Sequence, residues 1–79
     1  MSVRAFVLIQ TEIELAKATD VVTALRQLGP GVKSADRVTG PYDIIAELEA
    51  ESPSDIMALV DERIRTTMGV YRTVTCLAV

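Results

Sequence analysis

The sequence repeats one pattern at an interval of about 38 residues. In each half, a stretch of alternating apolar residues leads to apolar residues at three- and four-residue steps, and then to a Gly-Val pair and a second alternating stretch. Alternation is typical of strands, and steps of three and four are typical of one helical face. The sequence therefore predicts two strand-helix-strand halves, in which Gly31-Val32 and Gly69-Val70 open the second strand.

The predicted order of elements is β-α-β-β-α-β. The apolar patterns place the strands and helices as follows: strands over Val3 to Gln10, Val32 to Val38, Tyr42 to Glu49 and Val70 to Val79, and helices over Leu15 to Leu28 and Ser52 to Met68. Two such halves with right-handed crossovers give an α+β, ferredoxin-like fold, with a four-stranded antiparallel sheet and two helices on one face. A length of 79 residues leaves room for one core, so residues 1–79 are expected to form a single domain.

Short polar signals mark where the helices begin and end. Thr11 and Glu14 have the spacing of a capping box for the first helix, and the Gly-Pro-Gly sequence at 29–31 ends it. For the second helix, Ser52 can cap the first turn. A proline follows it at the first helical position, and Asp55 faces the positive end of the helix.

The composition excludes several classes of function. The chain has no histidine and a single cysteine, Cys76, so it offers neither a histidine base nor a zinc ligand set nor an internal disulfide. The eight basic residues are scattered and the net charge is −3, which disfavours binding to a phosphate backbone. Cys76 alternates with small apolar residues and is predicted to be a buried core residue, not a reactive thiol. No enzyme activity and no cofactor are expected.

The first strand is apolar on both faces and the third carries two adjacent isoleucines, although the helices cover only one face of the sheet. Phe6 and Leu8 or their alternates, together with Ile45 or Ile44, therefore need a second partner. Self-association also compensates for the marginal core of a small domain. The sequence predicts that a second copy of the chain covers the open face.

The chain contains no apolar run near 18 residues, and Met1 leads into a strand without a charged leader. A soluble, cytoplasmic protein with no membrane partner is expected.

The segment from Thr39 to Asp43 combines a permissive glycine, a rigid proline, an aromatic ring and a carboxylate at one strand entrance. Backbone amides near Gly40 can approach a ligand carboxylate, and Asp43 can accept a hydrogen bond from a ligand ammonium group. An α-amino acid carries both groups. The alternative is an ordinary β-turn in which Asp43 bonds its own backbone, and from chemistry alone the turn is favoured.

The sequence resembles the effector-binding domain of the Lrp/AsnC feast-famine regulators, called the RAM domain. Four stretches carry the resemblance: Gly31-Val32, the run from Val38 through Thr39, Gly40, Pro41, Tyr42 and Asp43 to Ile45, Gly69-Val70, and Thr73-Val74-Thr75. The run at 38–45 together with the late Thr-x-Thr is fairly specific. The resemblance spans nearly the whole chain.

The resemblance implies a βαββαβ fold, dimers that pair through their sheets, and dimers that assemble into octameric or decameric rings. It also implies that a small effector, commonly an amino acid, binds at contacts between dimers. Thr39, Gly40, Tyr42 and Asp43 would then surround the effector, and Thr73 and Thr75 would lie near it on the last strand.

Regulators of this family carry a helix-turn-helix domain before the effector domain, whereas here Met1 is followed at once by the first strand. We therefore expect a stand-alone sensing and assembly module without direct DNA binding, which acts on transcription or amino-acid metabolism indirectly, for example through mixed rings with full-length Lrp/AsnC regulators. Two alternatives stay open: a dimeric ferredoxin-like enzyme of the monooxygenase or isomerase type, and a purely structural assembly domain.

Overall fold

A computed structural model of the chain describes residues 2–12 and 17–79. Its elements are β1 (Val3–Thr11), α1 (Ala18–Arg26), β2 (Val32–Arg37), β3 (Ile44–Ala50), α2 (Pro53–Leu59), which continues as a π-helical turn over Val60–Ile64, and β4 (Val70–Leu77). The predicted order of elements is confirmed. Within these residues no helix has the length and apolar character needed to cross a membrane.

The four strands form one antiparallel sheet in the order β2-β3-β1-β4. This order, with two helices, is the predicted ferredoxin-like α+β fold. β1 lies between β3 and β4, and the sheet ends in two edge strands, β2 and β4.

The core lies between the helices and one face of the sheet. Alternate residues of β1 and β3 are completely buried there: Ala5, Val7, Ile9, Ile44, Ala46 and Leu48. The helices contribute buried residues at three- and four-residue steps: Val21, Val22, Leu25, Ile56, Val60 and Ile64. Successive strand residues point to opposite faces, so the intervening Phe6, Leu8 and Ile45 lie on the open face, where each is only half-buried.

The second helix begins as its sequence predicts. Ser52 occupies the N-cap position, and its side chain accepts a hydrogen bond from the backbone N–H of Asp55 at 3.2 Å. For the first helix, Lys17 is at the N-cap position and makes no side-chain cap hydrogen bond. Thr11 is instead the last residue of β1, and Glu14, its predicted partner in a capping box, lies outside the described residues.

Three residues predicted to be buried are exposed in the single chain: Cys76, Met57, which is 42% exposed, and Met68, the last residue of the apolar face predicted for the second helix. Cys76 is exposed, because the register of β4 places it opposite Phe6, on the face that no helix covers. Met68 is 74% exposed, although it continues the apolar steps of the second helix. The helical turns end at Ile64 and the chain then turns toward β4, so Met68 no longer faces the core.

The two Gly-Val pairs that mark the repeat use glycine for different reasons. A Cβ on Gly31 would lie 2.9 Å from Cδ2 of Leu59, so this glycine leaves space for a helix side chain. Gly69 has a φ of 93°, a backbone conformation that other residues rarely adopt. The first pair therefore meets a packing requirement and the second meets a conformational one.

Candidate functional site

The segment that joins β2 to β3 contains four of the predicted effector residues. Thr39, Gly40 and Pro41 are exposed, and Gly40 has a φ of 130°. Only glycine adopts this conformation without strain, so the segment forms the tight turn that its sequence predicts. We refer to residues 39–43 as the β2–β3 turn.

An apolar depression lies beside the β2–β3 turn on the open face of the sheet. It has a volume of about 430 Å³ and is lined by Leu8, Val38, Thr39, Pro41, Tyr42 and Ile45. Four of these residues are apolar, while Thr39 and Tyr42 each add one hydroxyl group that can donate and accept hydrogen bonds. We call this cavity the turn depression. An apolar cavity with a few polar groups is the usual character of a small-molecule site.

Asp43 ties the β2–β3 turn to the end of β1. Its Oδ2 atom accepts hydrogen bonds from the backbone N–H and the hydroxyl of Thr11, at 2.9 and 3.2 Å. The backbone N–H of Asp43 donates to the carbonyl of Ile9 at 2.9 Å, and the side-chain amide of Gln10 donates to the carbonyl of Pro41 at 3.1 Å. Four hydrogen bonds thus fix the turn next to the depression.

Thr73 and Thr75 lie apart from the turn depression. In β4 they pair with Ile9 and Val7, and residues paired across antiparallel strands share a face of the sheet. Both threonines are therefore on the side of the helices, opposite the face that carries Leu8. β4 is an edge strand, and both threonines remain partly accessible.

Thr73 lines a second cavity, which we call the β4 depression. It has a volume of about 330 Å³ and is lined by Arg65, Val70, Tyr71, Arg72 and Thr73. Its lining is mostly polar and includes two guanidinium groups, in contrast to the turn depression. Both cavities lie at the same end of the sheet, where β1 ends and where β3 and β4 begin.

Among the described residues of one chain, no single cavity brings the six predicted effector residues together. Thr39 and Tyr42 share the turn depression with Gly40 on the turn beside it, Asp43 braces β1, and Thr73 and Thr75 lie across the sheet. Sequence reasoning missed the apolar lining from Leu8 and Ile45, which the alternation of β1 and β3 could have shown once their pairing was known. It also missed Thr11, whose role depends on a contact across 32 residues.

The sequence matches the profile of the family described as Lrp/AsnC ligand binding domain over residues 4–79. This match confirms the family resemblance that the motifs indicate.

Two solved structures and one curated sequence are similar to this chain. Hypothetical protein PHS023 from Pyrococcus horikoshii is 32% identical with a TM-score of 0.85, and the alignment covers 98% of this chain and 89% of that protein. A transcriptional regulator from Neisseria meningitidis, solved as a complex with L-Met, is 17% identical with a TM-score of 0.84, over 98% of this chain and 49% of that chain. At that identity the likeness shows the fold alone.

Homocitrate synthase from Sulfurisphaera tokodaii is 36% identical over 70 residues. The match includes 89% of this chain, but the chain spans only 15% of the length of that curated relative. The profile match over residues 4–79 and the fold lead to one conclusion: the chain belongs to the Lrp/AsnC ligand-binding domain family, a family of small-molecule-binding regulatory domains.

Proposed function

We propose that this domain binds a small amino acid in the turn depression and self-associates through the open face of its sheet, as the sensing part of a regulator. The observation that supports the ligand most directly is the depression itself. Its volume of about 430 Å³ falls within the range of roughly 300–1,000 Å³ that is typical of small-molecule sites. Its apolar lining suits a ligand side chain, and its edge carries the groups that suit an amino acid.

The β2–β3 turn offers a partner for each charged group of an amino acid. Gly40 has open space where a side chain would be, so a carboxylate can approach the backbone N–H groups of Thr39 and Gly40, while Pro41 has none. Both hydrogen bonds from Thr11 to Asp43 go to Oδ2, which leaves Oδ1 as the acceptor for an ammonium group. The L-Met complex of the Neisseria meningitidis regulator supports this class of ligand.

Thr73 and Thr75 complete this proposed site only if a second copy of the chain supplies them. In one chain they lie on the other face of the sheet from the turn depression, while β4 presents them at an exposed edge. The proposed site is therefore shared between copies, consistent with an effector that binds at contacts between dimers.

A thermal-shift screen against the twenty amino acids at millimolar concentration tests the ligand. Binding to the folded state stabilises it by about 2.7 kcal/mol at a hundredfold excess over Kd, and the midpoint of a domain this small should rise by several degrees or more. We expect a selective rise with one or a few amino acids. A flat response to the whole panel would contradict the effector and favour a purely structural assembly domain.

A conservative substitution then locates the site. Thr39→Val keeps the shape of the side chain but removes its hydroxyl from the turn depression, so it should reduce the shift caused by the active amino acid. Thr19→Val is the matched control, because Thr19 is an exposed threonine on α1. An equal loss in both variants would place the ligand elsewhere.

The open face of the sheet is the proposed dimer interface. Phe6, Leu8 and Ile45 are half-buried there, and Val74 is 38% exposed beside them in β4. The ion pair between Arg4 and Glu47, at 3.0 Å, flanks these apolar residues with one charge of each sign. A patch of this kind can be self-complementary about a two-fold axis.

Val74→Glu tests the interface without touching the core. A carboxylate in the centre of an apolar interface is costly to bury, so this variant should be monomeric in light scattering coupled to gel filtration. Ala58→Glu introduces the same charge at an exposed position on α2 and should retain the wild-type mass. A Val74→Glu variant that stays assembled would exclude this face.

The wider assembly remains part of the proposal: dimers that close into octameric or decameric rings in the cytoplasm, alone or mixed with full-length Lrp/AsnC regulators, and so alter regulation indirectly. The shared family fold motivates mixed assembly. Co-expression with a tagged full-length regulator of the family should recover both proteins in one complex. Recovery of separate homo-oligomers would contradict mixed rings.

A further inference from the structure

The β4 depression carries positive charge in a chain whose net charge is −3. It lies where the chain leaves the second helix and enters β4, and two of its five lining residues are arginines, Arg65 and Arg72. Tyr71 and Thr73 add a hydroxyl group each, and Val70 packs against the core beneath them. Each of the four polar residues can donate a hydrogen bond to an anion.

The two arginines differ in how far their charge is already balanced. Arg65 pairs with Asp61 at 3.3 Å, one helical turn earlier, with both side chains more than half exposed. An exposed pair of this kind contributes little, so Asp61 competes only weakly with a ligand. Arg72 makes none of the ion pairs found in the described part of the chain, and its guanidinium lies 5.7 Å from the centre of the Tyr71 ring.

The backbone beneath the depression is fixed by its own hydrogen bonds. The pairing of β1 with β4 steps from Gln10 opposite Arg72 to Thr11 opposite Val70, which leaves Tyr71 without a cross-strand partner. Such a β-bulge redirects side chains and is common beside functional sites. The N–H of Glu12 donates to the carbonyl of Gly69 at 2.7 Å and holds the start of β4 against the end of β1.

We propose that the β4 depression is a binding site for a small anion that carries a phosphate or carboxylate group. A guanidinium group presents a planar set of donors that matches both anions, and two arginines among the lining residues provide the charge that attracts an anion. The depression, of about 330 Å³, limits the ligand to a small molecule. Thr73 is shared with the effector site proposed above, but the two arginines and Tyr71 are not, so the proposal does not depend on the effector.

Titration calorimetry with inorganic phosphate tests the site directly, at constant ionic strength maintained with sodium chloride. We expect saturable binding that weakens at least about tenfold in Arg72→Gln and in Arg65→Gln, as loss of a charged hydrogen-bond donor implies. Arg37→Gln is the matched control, because Arg37 is an exposed arginine on β2 and should bind like the wild type. Equal weakening in all three variants, or no saturable heat in the wild type, would overturn the proposal.

A gain-of-function variant adds an independent test. Asp61→Asn removes the weakly competing carboxylate beside Arg65 and should tighten phosphate binding modestly, by at most about fivefold, whereas Glu51→Gln, the same change in charge at an exposed position, should not. If both variants tighten binding equally, the effect is one of net charge alone and the site is refuted. Unchanged melting temperatures without phosphate would show that the variants are folded.

Competition identifies the source of the anion. If a bound amino acid displaces phosphate, and Arg72→Gln weakens both ligands, the depression holds the effector carboxylate and the proposal of an independent anion site is overturned. If phosphate and the amino acid stabilise the protein additively, the site is confirmed as one for a separate anion. If phosphate binds but Arg72→Gln affects neither ligand, the depression is not the site.

Discussion

The two faces of the sheet differ in how completely their apolar residues are buried. On the covered face, the alternate residues of β1 and β3 are entirely buried against α1 and α2. On the open face, the residues between them, such as Leu8 and Ile45, are only half-buried, and Val74 in β4 is 38% exposed. The same strands therefore contribute fully buried residues on one side of the sheet and only partly buried apolar residues on the other.

This difference separates folding from association. A residue of the covered face has all its partners in its own chain, so its loss should lower the stability of the monomer. A residue of the open face has apolar area left over, and such patches mark interaction surfaces. Neighbouring residues in one strand should therefore show effects on two different measurements.

The largest expected effect comes from Ile9→Ala, on the covered face. Ile9 is fully buried, and truncation of such a residue typically costs about 2–5 kcal/mol, a large part of the stability of a small domain. Leu8→Ala is the matched control on the open face and should cost less, about 1–2 kcal/mol, because Leu8 is only partly buried. Urea unfolding in the monomeric Val74→Glu background measures both, and equal costs would contradict the distinction between the faces.

Asp43→Ala should give the next largest effect, at the point where the β2–β3 turn meets β1. Loss of the acceptor for two hydrogen bonds from Thr11 should cost about 1.5–3 kcal/mol, because hydrogen bonds to charged groups are the stronger ones. Asp43→Asn keeps an oxygen acceptor and should recover most of this stability.

The same pair of variants separates bracing from ligand binding. If Asp43 also contacts a ligand ammonium group, Asp43→Asn should restore stability but not affinity for the amino acid. Recovery of both would show that Asp43 acts on the site only through its position.

Ser52→Ala should have a smaller effect on stability. It acts on α2, one of the two helices that cover one face of the sheet. Its hydroxyl caps the first turn of α2, and loss of such a cap costs about 1 kcal/mol. Ser52→Asp retains an acceptor and is the matched control in thermal or urea unfolding. A loss of stability in both variants would argue against the cap.

The smallest effect is expected from Arg4→Gln, on the open face. Its ion pair with Glu47 is partly exposed, with side chains 52% and 29% accessible, and exposed pairs contribute about 0–1 kcal/mol. Unfolding of the monomeric background should barely change. A large loss would mean that the open face also contributes to folding of the single chain.

The fold could be predicted from the sequence because its signals are local. Alternation, helical spacing and the Ser52 cap each act within a few residues, and their order is sufficient for a ferredoxin-like topology. The choice between Ile44 and Ile45 for the core also follows from alternation, since the phase of Ile44 is apolar throughout and that of Ile45 carries Glu47 and Glu49. The phase of β1, which is apolar on both faces, could not be chosen in this way, because pairing across strands decides it and pairing is a long-range property.

The site was harder to predict for the same reason. The β2–β3 turn was identified from its composition, but the depression beside it depends on Leu8 in another strand. Cys76 was misplaced because alternation alone does not show which phase of β4 faces the helices. Met68 was misplaced because the helical spacing continues in the sequence after the helix has ended at Ile64.

The two Gly-Val turns show how unevenly the halves of a duplicated pattern can diverge. A Cβ at Gly31 would meet the end of the flexible Leu59 side chain, so an alanine there requires only a small adjustment by Leu59. At Gly69 the positive φ angle would itself strain any other residue, and no movement of a neighbouring side chain relieves that strain. We therefore expect Gly69 to be retained among related sequences more strictly than Gly31. The similarity between the two halves of the sequence should be lost first at Gly31.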